Sequence, residues 1–305
     1  MEENLSRLRE KVKSVFIYSG YSISDDLGGN IDFVSSNSER IYIIKMAINV
    51  DTVKEDVARE IKLFSNAIHG FPLIIGERTT VEVLQDSILY TRYRIPVMNF
   101  KTFVDFFIRE IKPLGFSAPG GFYVKIDGKK LRSLREMYGI SLGEMANIAK
   151  VSRKSIQLYE DEKSAVSIDV IMRIEERFNI SLILPVEPWE ERNEDEPVKT
   201  FPKNEVEFKV YNIFSKCGFS VTFFRKTPFE GLLNAEETLI MNLTRNRKEA
   251  MKRLSMAREI SSITGKKNII ITEGKYEENL PVIPLEKIEK KERDEKIQII
   301  KMNLI

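Results

Sequence analysis

Four short blocks of this chain recur in the same order on either side of its midpoint. VFIYSGYSIS (15–24) is answered by IFSKCGFSVT (213–222), and NIDFVSSNSERIYIIKM (30–46) by PFEGLLNAEETLIMNL (228–243). REIKLFSNAIHGFPLIIGE (59–77) lines up with REISSITGKKNIIITEG (258–274), and RIPVMNFKTF (94–103) with NLPVIPLEKI (279–288). An ordered repeat constrains a fold strongly, because each copy must close a core from the same succession of elements. The shared Gly-aromatic-Ser and Pro-Val steps point to a duplication. At 305 residues the chain also exceeds one ordinary core, so several domains are expected.

The first copy, residues 1–125, reads as α-β-β-β-α-β. Leu5, Leu8, Val12, Val15 and Phe16 stand at helical spacing before Gly20. YSIS, NIDFVSS and RIYIIKMAI read as strands, split by DDLGG and SNSE. A helix follows, with Asp51 or Thr52 expected as its N-cap and Val53, Val57, Ile61, Phe64 and Ile68 as its apolar stripe. His69, beside Gly70, is expected to cap its C-terminal end, where a cation suits the helix dipole. PLIIGE and YRIPVMN read as two more strands, and KTFVDFFIREIK as a closing helix. Residues 187–204 are Pro-rich and mostly acidic and read as a linker, where Trp189 is expected to anchor the chain as it crosses. Residues 205–305 form the second copy, in which Cys217 aligns with Ser19 as a small inert side chain.

Between the copies, residues 126–186 read as helical. KKLRSLREMYG turns Leu131, Leu134 and Tyr138 to one side and stops at Gly139. Ser141 with Glu144 three residues on is a capping box, and Leu142, Met145 and Ala146 face inward. Ser152 caps the next helix, RKSIQLYE, whose Ile156 and Tyr159 face the core. SIDVIMRIEERFNI is a fourth amphipathic helix with Ile168, Ile171, Ile174 and Phe178 inward. Two short helices joined by a tight turn, with a small residue where they cross, make a helix-turn-helix.

These residues resemble the Cro and phage-repressor (XRE) class of helix-turn-helix domains. The likeness rests on Leu131, Leu134, Arg135, Gly139-Ile140-Ser141, Met145-Ala146, Val151-Ser152-Arg153, Ile156, Tyr159-Glu160, Lys163 and Ser167-Ile168, over roughly 55 residues. Two positions depart from the class. Leu142 stands where Gln often helps to hold a phosphate, and Glu162 where Gly often follows the third helix. The whole chain also resembles an archaeal family of helix-turn-helix transcriptional regulators of about this length. The resemblance implies double-stranded DNA as partner, with residues 152–159 in the major groove.

The chemistry of the side chains agrees. Arg153 can pair with guanine in a bidentate way, Lys154 can take guanine or phosphate, Gln157 adenine or phosphate, and Leu158 a thymine methyl. Ser152, Ser155 and Ser141, with the amides at their helix starts, suit phosphates. Lys163, Lys150 and Lys129 add charge toward the backbone. A single motif of this kind reads DNA weakly, so a homodimer on a pseudo-palindrome is expected, with the flanking domains as its contact surfaces.

The flanking domains raise a second chemistry. Their order, with NIDFV and then IYIIKM, is similar to the PD-(D/E)xK nuclease fold, which implies restriction-endonuclease-like domains. In that fold two carboxylates hold Mg²⁺ and a lysine assists the attacking water. Asp32 matches the first acid and Lys45 the lysine, but the second acid falls on Ile43. In the second copy Glu230 matches the first acid, and TLIMNL has neither acid nor lysine. Glu60 is a candidate displaced acid. The fold class is thus α/β plus all-α, two such α-β-β-β-α-β domains flanking a four- to five-helix domain. Non-catalytic domains are the expectation. A Mg-dependent nuclease or junction-processing enzyme using Asp32 and Lys45 is one alternative, and a DNA-associated scaffold is another.

Composition narrows the classes. One histidine and one cysteine disfavour zinc sites, histidine triads and intrachain disulfides, so no metal or cofactor is expected. No apolar run is long enough for a membrane span, the start of the chain lacks an apolar signal core, and a cytoplasmic location is expected. The net charge is only +2, so a nucleic-acid surface must be a local patch. LGGN lacks the lysine and spacing of a phosphate loop. Nothing in the sequence names a small-molecule effector.

Overall fold

The computed structural model describes residues 2–190, 200–274 and 281–305. In chain order its first elements are α1 (Glu2–Tyr18), β1 (Ser22–Ile23), β2 (Phe33–Ser36), β3 (Ile41–Asn49), α2 (Glu55–Ile68), β4 (Phe71–Arg78), β5 (Ile88–Arg92), β6 (Ile95–Met98) and α3 (Phe100–Ile108). The middle of the chain forms β7 (Gly115–Ala118), β8 (Gly121–Ile126), α4 (Gly128–Met137), α5 (Leu142–Ala149), α6 (Arg153–Glu160), β9 (Val166–Ser167), α7 (Ile168–Phe178) and β10 (Ile183–Leu184). The last part forms α8 (Glu205–Lys216), β11 (Ser220–Phe223), β12 (Gly231–Asn234), β13 (Thr238–Thr244), α9 (Arg247–Thr264), β14 (Asn268–Thr272), β15 (Ile283–Pro284), α10 (Leu285–Glu289) and α11 (Arg293–Met302).

The compact units do not follow chain order. Met1–Leu8, Ala47–Thr52 and Ile74–Arg192 form one, and Arg9–Met46, Val53–Leu73 and Asn193–Ile305 form the other. Residues 1–125 are therefore shared between the two.

In the second of these units β11, β12 and β13 pair antiparallel, and β14 and β15 continue parallel to β13. At the other end of the sequence β1 pairs antiparallel with β2, and β2 with β3. Helix α8 and strands β11 to β15 close over Val210, Phe214, Phe223, Leu233, Met241, Ile269 and Ile271. The early and late segments interlock within this unit. Phe64 of α2 stacks on Phe229 with centroids 5.0 Å apart. Glu60 accepts from the backbone N–H groups of Arg225 (2.7 Å) and Lys226 (3.1 Å), and the Asn30 N–H donates to the Lys226 carbonyl at 2.7 Å. Gly29 is required beside that contact. Its φ is +68°, and a Cβ there would lie 2.2 Å from the Lys226 carbonyl oxygen.

In the other unit the strand order is β4-β6-β5-β7-β8-β10, with β9 also on β8. YRIPVMN, read as one strand, is the turn and second arm of a hairpin whose first arm is β5. Tyr93 and Arg94 form the turn, both at positive φ (49° and 65°). Strands β7 and β8 fill a stretch that the sequence left without elements. Val124 and Ile126 of β8 join the core of the four helices that follow, so position 125/126 lies inside a strand rather than between two bodies.

The expected cap of α2 is corrected as well. Residues Val50–Thr52 form a 3₁₀ turn and Lys54 takes the N-cap position without a side-chain hydrogen bond. Asp51 instead accepts from the Thr80 N–H at 2.8 Å and pairs with Arg92 at 3.2 Å. At the far end of α2, His69 is the C-cap, in the left-handed region at φ 57°, with its backbone N–H turned to the Asn66 carbonyl. Trp189 packs edge to face on Phe106 of α3, centroids 5.7 Å apart. Among the described residues no helix is long and apolar enough to cross a membrane.

Candidate nucleic-acid interface

Each helix of the central segment is started by its own sequence. Asp127 accepts from the Lys130 N–H at the head of α4. Ser141 and Glu144 form the complete capping box of α5, and these hydrogen bonds, the one from the Ser141 backbone foremost, hold the Glu144 carboxyl below its usual range. Helix α5 ends at Lys150, left-handed at φ 56°, and the Val151 N–H returns to the Ala146 carbonyl. Ser152 then caps α6 by accepting from the Ser155 N–H at 3.0 Å. The turn between the two helices is thus three residues, Lys150 to Ser152. Leu131, Leu134, Met145, Ala146, Ala149, Ile156, Ile171 and Ile174 form the buried core beneath it, with Leu142, Val151, Tyr159 and Ile168 packed at its margin.

Burial of Ile156 fixes which face of α6 points outward. Arg153, Lys154 and Gln157 are exposed, as are Ser152 and Ser141. Ser155 and Leu158 are half-buried. The hydroxyls of Ser152 and Ser155 lie 2.9 Å apart and are tied to each other as well as to the cap. Arg153 lies back across α5. A Cβ built on Gly143 would sit 2.9 Å from its Nε and 3.0 Å from its Nη2, so this crossing needs a glycine. Lys163 is exposed but pairs with Asp161, Nζ to Oδ2 at 3.4 Å. Lys129, in the first turn of α4, and Lys150, the C-cap of α5, are exposed.

One residue that the sequence reading left without a role holds this arrangement. Glu160, the last residue of α6, is buried and meets two arginines of α4. Arg135 Nε donates to one oxygen at 2.6 Å and its Nη2 to the other at 3.0 Å, and Arg132 Nε adds a third bond at 3.2 Å. Burial opposes the charge, but the hydrogen bonds from Arg135 and then Arg132 outweigh it and hold the carboxyl below its usual range. Glu162 follows at φ 57°, taking the left-handed position where the repressor class often has glycine. Its carboxylate also accepts from the Gly128 N–H at 3.2 Å. The signal was present in the Tyr159-Glu160 pair and in the i, i+3 spacing of Arg132 and Arg135, but their partnership spans 25 residues or more.

The nuclease-like positions lie elsewhere. Asp32 is buried, and its carboxylate is already divided among Arg9 (2.8 Å), Lys45 (3.1 Å) and the Met46 N–H (2.9 Å). Lys45 also donates to the Gly29 carbonyl at 3.1 Å. Ile43, at the position of the second acid, is completely buried. Glu60 is spent on Asn30, Arg225 and Lys226. In the later segment Glu230 binds Arg253 and accepts from the Leu243 N–H at 2.9 Å, while burial raises its carboxyl above the usual range against the pull of Arg253. These residues do not fit a Mg²⁺ ion, which needs free oxygen ligands. Among the described residues no group of three or more His, Cys, Asp or Glu is placed to hold a metal.

Comparison with known proteins adds to this geometry. A PD-(D/E)XK superfamily domain model matches residues 5–113, and a helix-turn-helix model matches residues 131–184. A relative from Methanocaldococcus jannaschii, named "Putative HTH-type transcriptional regulatory protein", is 33% identical over 92% of this chain and 90% of its own length. The chain belongs to this archaeal family. Relatives with the same name in Pyrococcus horikoshii and Thermococcus kodakarensis are 32% and 30% identical, over 90% and 96% of this chain and 90% and 95% of their own lengths. No solved structure matches the chain. The family's helix-turn-helix model spans every residue from Ser141 to Lys163 discussed above, and its nuclease-like model spans Asp32, Ile43 and Lys45.

Proposed function

We propose that this protein is a sequence-specific DNA-binding transcriptional regulator that reads the major groove with α6. The observation that carries the reading is the outward face of α6, Arg153, Lys154 and Gln157, presented at the end of a three-residue turn by a capped helix pair. Arg153 and Gln157 take base edges. Lys154, Lys163 and the amides at the heads of α5 and α6, beside Ser141, Ser152 and Ser155, take phosphates. Leu158 lines the groove side of the helix. The protein acts in the cytoplasm as a homodimer.

The flanking domains serve as non-catalytic frames related by duplication. The support is a shared hydrogen-bond pattern. The Asp32 N–H donates to the Ile44 carbonyl and its carboxylate accepts from Met46, while the Glu230 N–H donates to the Met241 carbonyl and its carboxylate accepts from Leu243. The two sets are separated by a nearly constant 197 or 198 residues. In each set an arginine, Arg9 or Arg253, neutralises the remaining carboxylate.

Footprinting on fragments of the source genome tests the regulator reading. Protection of a pseudo-palindrome is expected, and equal shifting of every duplex without a protected site contradicts it. The contact of Lys45 with Asp32 keeps a nuclease reading alive as the rival. Incubation of plasmid, nicked and four-way-junction DNA with Mg²⁺ or Mn²⁺ decides between them. Cleavage that disappears in Asp32→Ala and Lys45→Ala overturns the non-catalytic reading.

A further inference from the structure

Helix α8 carries an apolar stripe on its outer face. Phe208 is 53% exposed and Tyr211 38% exposed, one turn apart, and Ser215 continues the same row. The inner face of the helix is already satisfied by Val210, Ile213 and Phe214 in the core. The fold itself does not require an apolar outer face here. Under the repeat that aligns 15–24 with 213–222, the same positions of α1 hold Glu10 and Lys13. Lys13 is half-buried over the Phe33 ring and pairs with Asp26 at 2.7 Å, and the position matching Ser215 holds the exposed Ile17.

We infer that the outer face of α8 is the homodimer contact, with a second copy of this chain as its occupant. The outer face of α8 is self-complementary. Antiparallel pairing of two α8 helices about a two-fold axis at Tyr211 sets each Phe208 against the small Ser215 of the other copy. It also brings the acidic head of one helix, Glu205, alongside the basic tail of the other, Lys216. Both residues are exposed, Glu205 also meets Lys209 of its own helix at 3.3 Å, and an acidic first residue with a basic last one favours the antiparallel arrangement. An aromatic pair flanked by complementary charge is the usual make-up of a small interface centre.

This inference rests on the homodimer reading above, and the test separates the two. Sedimentation equilibrium of the full chain should find a dimer for the wild type. Phe208→Glu with Tyr211→Glu should raise the dimer dissociation constant tenfold or more while the circular dichroism stays that of the folded chain, since both side chains are exposed in the single copy. Val81→Glu, at another exposed apolar residue, should leave the dimer intact. Glu205→Lys should weaken association, and adding Lys216→Glu should restore it. A dimer that survives the Phe208 and Tyr211 changes, or no rescue by the reversed charge pair, overturns the α8 contact and leaves the dimer reading standing. A wild type that is monomeric at all concentrations overturns both, and the footprint then judges the regulator reading by itself.

Discussion

Arg153 and Gly143 act as a pair. The guanidinium crosses α5 at the one position without a Cβ, so Gly143→Ala should push Arg153 aside rather than unfold the helix. The melting temperature should change little, and base preference at one position should change, as read by selection from randomised duplexes. Lys163 differs because Asp161 already shares its charge. Lys163→Ala should weaken all sequences alike and lower the salt slope by about one unit or less. Glu160 has the opposite character, structural rather than recognising. Its folded pKa lies below the unfolded value, so its contribution to stability is present above the unfolded glutamate pKa of about 4.3 and is lost as pH falls through the folded value. Melting of the central helices followed from pH 7 to pH 3 should therefore decline below about pH 4.3. Glu160→Gln should melt lower at pH 7 and show a shallower decline.

Among the elements, those with local signals were legible. The caps at Ser141 and Ser152 could be read because a serine and the residue three positions on decide them between themselves. The α6 face could be read because Ile156 and Tyr159 stand one turn apart. The β5–β6 hairpin was hidden, since its turn uses Tyr93 and Arg94 at positive φ with none of the Gly or Asn that mark such turns. Strands β7 and β8 form a tight local hairpin about Pro119-Gly120, a turn signal that the sequence carries, while their outer partners β5, β9 and β10 come from more distant parts of the chain. The same holds for α2, where Asp51 left its expected cap to bind Thr80 and Arg92. Ile156 is where an element fails as a whole. Ile156→Ala should cost about 2–5 kcal/mol, and DNA binding should be lost through unfolding of the central helices, seen as loss of helical circular dichroism.

For the whole molecule, the sequence conveyed the order of the parts but not their grouping. The early and late α/β segments meet through Phe64, Phe229 and Glu60, contacts across more than 160 residues that no local pattern announces. Nor does the sequence say that Arg9 stands against Asp32, at 2.8 Å. Asp32→Ala leaves two cations without their shared partner. It should cost roughly 3–5 kcal/mol in chemical denaturation without changing the base preference of the protein. The central claim is that α6 reads sequence, and one titration series addresses it most directly. Wild type and Arg153→Ala are titrated onto the best selected site and onto each of its single-base-pair variants at one fixed salt concentration. The account predicts a loss of about 1–3 kcal/mol for Arg153→Ala on the best site, with discrimination relaxed at a single base pair. A loss equal on every duplex, or none at all, contradicts it.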